Sequence, residues 1–230
     1  MVRIKMCGIT REEDVAMCAR AGADALGFVV EYPQPTPWTL TRERAAELMR
    51  AVPPFVNRVA VVGGDAATIL EICAATRPNL VQLHGDEPES VVEEVAAALS
   101  ATGVRLIKAV RIPAGDRESG AETSARLGNI TDVAGRFLDA GADAILLDSK
   151  TSDRPAGTGR TFEWSIARHV ADAVGPVILA GGLTPENVGR AVTEVRPYGV
   201  DVITSLEDAR HRKVEERVQA FVRAVRTARM

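Results

Sequence analysis

The chain has 230 residues, of which 46% are hydrophobic and 26% are charged, and its formal net charge is −3. This composition is typical of a soluble globular domain, and without a basic stripe it argues against a nucleic-acid partner. No apolar run reaches the roughly 18 residues of a membrane span, and charges at Arg3, Lys5 and Arg11 interrupt any secretory leader. We therefore expect a cytoplasmic protein that contacts neither membrane nor nucleic acid.

Eight short runs along the chain are almost continuously apolar, as in strands that are covered on both faces. The predicted strands are Val2–Met6, Ala25–Val30, Arg58–Val62, Leu80–Leu83, Val104–Val110, Ala144–Leu147, Pro176–Leu179 and Val200–Thr204.

Helical patterns separate these runs. The predicted helices are Glu12–Ala21, Arg42–Ala51, Ala66–Ala75, Ser90–Leu99, Ile130–Ala140, Trp164–Ala173, Pro185–Val195 and Val214–Ala228. Thr41 and Thr184-Pro185 mark two of the helix starts, because Thr caps a helix and Pro suits its first position. Thr161 is a weaker start signal for the helix at Trp164.

Eight strand–helix units in this length predict a single-domain α/β fold, a (β/α)8 TIM barrel over residues 1–230. The repetition of Ala21–Leu26 as Ala140–Ile145 fits two half-barrels, although a helix–Gly–strand junction can converge on the same sequence. A doubly wound open sheet is the alternative. It would require a glycine-rich fingerprint after the first strand, and Cys7-Gly8-Ile9-Thr10 is not one.

One segment, at about 113–131, departs from the strand–helix rhythm. It is rich in Gly, Ser, Glu and Arg and is too long for an ordinary connection between a strand and a helix. Such an insertion is either a flap over the active site or a surface loop, and we favour the surface loop.

Two reactive side chains lie at predicted strand ends, where TIM barrels carry their active sites. Cys7 ends the first strand and Asp148 ends the sixth. A lone buried cysteine is usually only a small hydrophobe, but a carboxyl group on the same rim makes an acid–base pair possible. The three cysteines (Cys7, Cys18 and Cys73) are too widely spaced for a disulfide framework or a zinc site.

Glycines after the seventh strand indicate an anion site. Gly181-Gly182 lets the backbone approach an oxyanion, and backbone N–H groups there and at Thr204-Ser205 can bind a phosphate. The alternative is a tight turn with no ligand.

Several longer motifs carry a resemblance to a known family. They are Lys5–Thr10, Gly27-Phe28, Val81–Glu87, Leu146–Asp148, Gly157–Gly159 with Phe162–Trp164, and Leu179–Val188. Together they cover nearly the whole chain, which resembles phosphoribosylanthranilate isomerase of tryptophan biosynthesis.

The resemblance implies an Amadori rearrangement of an N-aryl phosphoribosylamine, without a metal or an organic cofactor. Asp148 would be the general acid that opens the sugar ring, and Cys7 the general base that takes the proton from C2′. Contacts to the phosphosugar substrate would come from Lys5, Gln82, His84, Arg111 and Trp38, with the phosphate at Gly181, Gly182, Thr204 and Ser205. The expected assembly is a monomer or a homodimer.

The chain departs from the family pattern at both ends of the expected substrate. Trp38 stands where the family carries an arginine that binds the anthranilate carboxylate, and an indole cannot replace that charge. Arg42, Arg44 or Arg111 would have to substitute. At the phosphate end, Ser205 replaces a glycine and Ile203 replaces a serine.

Because the acid and base are retained while both substrate contacts change, a paralogue with a different aryl or amine substrate is as well supported as the anthranilate enzyme. On that hypothesis, activity on N-(5′-phosphoribosyl)anthranilate is weak or absent and Trp38→Arg raises it. An isomerase of histidine biosynthesis would use two carboxylates, which Cys7 argues against. A non-catalytic phosphosugar-binding barrel would not need the pair Cys7 and Asp148.

Overall fold

The computed structural model describes residues 1–113, 120–150 and 164–229. Eight parallel strands form a closed barrel, because the first strand pairs with both the second and the last. They are β1 (Arg3–Met6), β2 (Ala25–Val30), β4 (Asn57–Val62), β5 (Leu80–Leu83), β6 (Arg105–Pro113), β7 (Ala144–Lys150), β8 (Val177–Leu179) and β9 (Gly199–Val202), with a two-residue strand β3 (Thr39–Leu40) added beside β2. The predicted TIM barrel is confirmed, and the open doubly wound sheet is wrong.

Helices surround the barrel. They are α1 (Glu12–Ala21), α2 (Arg42–Arg50), α3 (Ala66–Thr76), α4 (Glu89–Leu99), α5 (Gly120–Asp139), α6 (Trp164–Val174), α7 (Val188–Val195) and α8 (Glu215–Thr227), with short 3-10 helices at Ser100–Thr102 and Thr204–Leu206. Thr41 caps α2 as predicted, since its side chain accepts a hydrogen bond from the Arg44 backbone N–H. The predicted start at Thr161 lies outside the described residues. In the described part of the chain, no helix is long and apolar enough to cross a membrane.

The alternating sides of each strand divide the core into two layers. On β2, Leu26, Phe28 and Val30 pack outward against the helices, whereas Val29 packs inside the barrel near Cys7. Both layers exclude water, which explains why the strand sequences are apolar on both faces.

The repeated hexapeptide forms the same junction twice. Gly22 and Gly141 follow α1 and α5 with φ of 102° and 101°, in the left-handed region that favours glycine. The Asp24 carboxylate then accepts the Ile4 backbone N–H at 2.8 Å, and the Asp143 carboxylate accepts the Leu106 backbone N–H at 2.8 Å. Each aspartate ties the start of its strand to the preceding strand.

Two predicted helix starts are wrong by three residues or more. Helix α5 begins at Gly120 and not at Ile130, so residues 120–131, which the sequence assigned to the loop, are helical. The Ala, Glu, Arg and Leu of this stretch have high helix propensity, which its glycines and serines obscured. Residues 114–119 lie outside the described part.

Helix α7 begins at Val188 and not at Pro185. The Asn187 side chain accepts the Thr184 backbone N–H at 2.8 Å and donates to the Gly182 carbonyl at 2.9 Å. These two bonds hold the segment before the helix as a turn.

Candidate active site

The carboxyl ends of the strands surround a cavity of about 410 Å3. Cys7 follows β1, Asp148 lies in β7, and Gly181-Gly182 follows β8, so three elements distant in sequence converge there. The remaining lining residues are Val29, Tyr32, Pro35, Thr36, Pro37, Trp38, Val61, Gln82, His84, Ala180, Leu183, Asp201, Val202, Ile203, Thr204 and His211. The cavity occupies the position at which (β/α)8 barrels bind their ligands.

Cys7 lies beside a buried ion pair. Its backbone N–H donates to the Val202 carbonyl at 2.9 Å, which fixes it to the neighbouring strand β9. Lys5, two residues earlier, points to the same side of the strand, and its Nζ lies 2.9 Å from Oδ2 of Asp201. Lys5 and Asp201 are both almost fully buried.

The charges of this group oppose the effect of burial. Burial raises the pKa of the Cys7 thiol above its ordinary value, and the Lys5 ammonium acts in the opposite direction. Burial alone would lower the pKa of Lys5, but Asp201 and Cys7 outweigh it and the net shift is upward. Burial likewise raises the pKa of Asp201 against the effect of Lys5. Burial thus favours the neutral thiol of Cys7, and the neighbouring Lys5 ammonium favours its thiolate.

Gly27 leaves the room that the thiol occupies. A Cβ at this position would lie 2.5 Å from Cys7 Sγ and 3.0 Å from Lys5 Nζ. Real carbon atoms do not approach a sulfur so closely. The position of Cys7 therefore explains why the Gly27-Phe28 motif has a glycine: any larger residue would collide with the thiol.

Asp148 faces a histidine across the cavity wall. Nε2 of His84 lies 3.4 Å from Oδ2 of Asp148, and Nδ1 of His84 is 2.8 Å from the Gln82 amide nitrogen. Asp148 is 5% exposed. Gln82 thus orients the imidazole, and the imidazole orients the carboxyl group that faces the cavity.

Another part of the cavity wall is formed by backbone. Gly181 and Gly182 have φ of 82° and 64°, which favour glycine and turn the chain at the end of β8. The Ser205 hydroxyl donates to the Leu183 carbonyl at 2.7 Å, which ties the 3-10 helix after β9 to this turn. Ser205 does not line the cavity in the described residues, so any contribution to anion binding would come from its backbone.

The aromatic end of the cavity is built around Trp38. The indole N–H donates to both carboxylate oxygens of Glu207, at 3.0 and 3.1 Å. Lys213 Nζ lies 2.7 Å from the same carboxylate and is fully buried with it. The ring of His211 packs edge-on against the indole, with centroids 5.5 Å apart.

Two predicted substrate contacts, Arg111 and Lys5, do not line the cavity. Arg111 binds the Tyr32 hydroxyl and the His84 carbonyl in a neighbouring cleft. Lys5 lies behind Cys7. Of the two other arginines considered as replacements, Arg42 is bound to Glu31 and Arg44 to Glu47.

Four residues of the site were not predicted from the sequence. Asp201 had a signal, since a single carboxylate interrupts the apolar run Val200–Val202. Tyr32, Glu207 and His211 come from loops whose approach to the cavity no local pattern revealed. Motif residues Gly157–Gly159 and Phe162-Glu163 lie outside the described part of the chain.

The closed barrel, with a thiol and a buried carboxyl group in one cavity at its C-terminal mouth, defines a (β/α)8-barrel enzyme with a small-molecule site. The profile of the N-(5′-phosphoribosyl)anthranilate (PRA) isomerase family matches residues 4–224. The chain therefore belongs to this family of isomerases, as its motifs indicated.

Relatives in sequence agree. The N-(5′-phosphoribosyl)anthranilate isomerase of Haloferax volcanii is 39% identical over 100% of this chain and 95% of the relative. The Pseudomonas aeruginosa (strain UCBPP-PA14) isomerase is 42% identical over 99% of this chain and 97% of the relative.

Solved structures agree as well. Phosphoribosyl anthranilate isomerase from Thermotoga maritima superposes with a TM-score of 0.81 at 32% identity, covering 98% of this chain and 99% of that one. A phosphoribosyl anthranilate isomerase in complex with reduced 1-(o-carboxyphenylamino)-1-deoxyribulose 5-phosphate gives 0.76 at 31% identity, with 98% and 99% covered. Another solved relative is described as monomers generated from the dimeric T. maritima protein.

Proposed function

We propose that the chain isomerises N-(5′-phosphoribosyl)anthranilate in tryptophan biosynthesis. The observation that carries the proposal is the shared cavity. Its wall contains Cys7, Asp148, the glycine turn Gly181-Gly182 and the indole of Trp38. A phosphosugar with an aryl substituent carries groups that match these: a phosphate, a reacting sugar and an aromatic ring.

The reaction is an internal transfer of protons. Asp148, in its protonated form, donates to the ring oxygen of the furanose, and the bond between C1′ and that oxygen breaks to leave an iminium at C1′. Cys7, as the thiolate, then removes the proton from C2′ and the electron pair forms an enolamine. The enolamine loses its hydroxyl proton and takes a proton at C1′ to give the ketose.

The surrounding residues suit these roles. Lys5 favours the thiolate because its ammonium lies beside Cys7, so a proton can leave a thiol that burial otherwise keeps neutral. His84 holds the Asp148 carboxyl group toward the cavity. No step requires a metal or an organic cofactor.

The phosphate would lie at Gly181-Gly182 and the segment Thr204-Ser205. The positive φ of both glycines turns the backbone so that its N–H groups can face an anion. Within the described residues, Lys and Arg side chains do not line this end of the cavity. Backbone donors would therefore provide most of the binding.

A different arylamine phosphosugar is the second candidate substrate. Trp38 favours it, because the position from which the family's arginine would bind a carboxylate holds a neutral indole already bonded to Glu207.

One assay decides between the two substrates. The purified protein is mixed with N-(5′-phosphoribosyl)anthranilate, and isomerisation is followed by the loss of substrate fluorescence. N-(5′-phosphoribosyl)aniline is tested in parallel by product analysis. Turnover of the anthranilate compound, together with rescue of a tryptophan auxotroph that lacks its own isomerase, supports the proposal. Turnover of the aniline compound alone rejects it in favour of the second candidate.

A further inference from the structure

The aromatic end of the cavity has few sources of positive charge. Among the described lining residues, only His84 and His211 can become cations. His84 already contacts Asp148 and Gln82 through its two ring nitrogens. Among the described lining residues, His211 is therefore the one cation that an acidic group on the aryl ring could contact.

The nearest lysine does not compete for such a group. Lys213 is fully buried, and its ammonium contacts the Glu207 carboxylate at 2.7 Å and the Ile203 carbonyl at 3.3 Å. Arg217 also donates to the Glu207 backbone carbonyl. These contacts anchor Glu207 behind Trp38 and leave the cavity side to His211.

His211 is held in a defined position although it lies in a loop. Its backbone has a φ of 57°, and its N–H donates to the Asp208 carbonyl at 3.0 Å, while Asp208 N–H donates to the Arg212 carbonyl at 2.9 Å. The imidazole ring stands at 80° to the Trp38 indole. Nδ1 lies 3.4 Å from a Glu207 oxygen, so Nε2 remains for the cavity.

The charged groups around His211 are paired with one another. Glu207 faces Nδ1 and favours an N–H at that nitrogen, while Lys213 is paired with the same carboxylate and offsets its charge. Asp208 is paired with Arg212 in the loop itself. An anion arriving at Nε2 would thus complete a Glu–His–carboxylate chain through the two ring nitrogens.

We propose that His211 is the specificity-determining residue for the acidic group on the aryl ring. Its Nε2–H donates to the aryl carboxylate while the Trp38 indole contacts the ring. In this arrangement the carboxylate selectivity comes from the loop after β9 and not from the residue at position 38. The inference rests on the proposed function, since it assigns one contact of the same substrate.

The test measures binding, so that it does not depend on turnover. The two probes are reduced 1-(o-carboxyphenylamino)-1-deoxyribulose 5-phosphate and its phenylamino counterpart without the carboxylate. Isothermal titration gives the Kd of each for the wild type, His211→Ala, His211→Gln and Arg210→Ala. Arg210 is the matched control, because it is the exposed cation next to His211 and does not line the cavity.

We expect His211→Ala to raise the Kd of the carboxylate probe by about tenfold or more, which is the effect of losing a charge-assisted hydrogen bond. The same substitution should change the Kd of the phenylamino probe by no more than about twofold. His211→Gln, which keeps a neutral donor, should fall between the wild type and His211→Ala. Arg210→Ala should change neither Kd.

The proposal is overturned if His211→Ala weakens the binding of both probes equally or of neither. A wild-type protein that binds the two probes equally overturns it as well. Failure of the proposed function looks different. In that case the protein binds the carboxylate probe through His211 but does not isomerise N-(5′-phosphoribosyl)anthranilate.

Discussion

The indole N–H of Trp38 is hydrogen-bonded to the buried carboxylate of Glu207, with distances of 3.0 and 3.1 Å to the two oxygens. A guanidinium at the same position would find the same carboxylate as a partner. Trp38 satisfies Glu207 and also presents an aromatic wall to the cavity, at the position where the family resemblance implies an arginine.

Replacement of Trp38 by arginine tests what the indole excludes. We expect Trp38→Arg to raise kcat/KM for N-(5′-phosphoribosyl)anthranilate by about tenfold. A charge-assisted hydrogen bond is worth roughly 1.5–3 kcal/mol, or roughly ten- to hundredfold, and competition from Glu207 favours the lower end. Trp38→Phe is the control, because it keeps the ring and removes the N–H. Steady-state kinetics in which Trp38→Arg lowers kcat/KM would show that the site already supplies its cation elsewhere.

Gly27→Ala should displace the reactive thiol. The added Cβ would lie 2.5 Å from Cys7 Sγ, and a shift of about 1 Å at a reacting group can cost on the order of 100-fold in rate. We expect a loss of that order in kcat with the barrel still folded, measured by kinetics and circular dichroism. Gly135→Ala on α5 is the matched control, since a Cβ there meets nothing within 4 Å. It should leave kcat unchanged, and equal losses in both variants would refute the steric explanation.

Lys5→Met should move the pH dependence of catalysis. The Lys5 ammonium lowers the pKa of Cys7 relative to burial alone, so its removal raises that pKa and fewer thiolates exist at a given pH. The rising limb of kcat/KM against pH should shift to higher pH. Lys5→Arg keeps the charge and should keep the limb nearer its wild-type position. A limb at the same pH in the wild type and Lys5→Met would mean that Lys5 does not act on the base.

Cys7→Ser should remove the general base, because a hydroxyl does not ionise near neutral pH. A positioned base contributes roughly 100- to 10,000-fold, and we expect kcat to fall by that range. Cys73→Ala is the control, since burial raises the pKa of Cys73 to about 11 and it lies in α3, away from the cavity. Assays with the anthranilate substrate would contradict the assignment if Cys7→Ser kept more than a tenth of the wild-type rate.

The pH dependence of thiol alkylation gives a separate check on Cys7. Burial raises the pKa of Cys18 to about 12, and only Cys7 of the three cysteines lines the cavity. A small alkylating reagent should therefore modify Cys7 first, and mass spectrometry should find activity loss in step with that modification. If Cys18 or Cys73 is modified before Cys7 and the activity is lost at that stage, this order is contradicted.

Strand and helix periodicity located all eight barrel strands, because strands covered on both faces must be apolar throughout. Boundaries that depend on particular side-chain contacts were less predictable. The start of α7 is set by Asn187, whose amide bonds to Thr184 and Gly182 hold the preceding turn. Nothing in the local sequence distinguishes that turn from the first turn of a helix that begins with Thr and Pro.

The site residues were also predictable only in part. The sequence predicted that Cys7 and Asp148 share one rim, because strand ends in this fold meet there and a motif marks each residue. The contact of Arg111 with the His84 carbonyl could not be predicted, since it depends on how β6 packs beside the segment that follows β5.

The sequence by itself therefore determined the barrel, its family and the positions of Cys7 and Asp148 at strand ends, because these depend on periodicity and on residue types at fixed positions along each strand. Only the tertiary structure decided which charges neighbour them. Lys5 meets Asp201 across 196 positions of sequence, and Trp38 meets Glu207 across 169. Such pairs form when the barrel closes and brings its first and last strands together, and a local pattern carries no record of that closure.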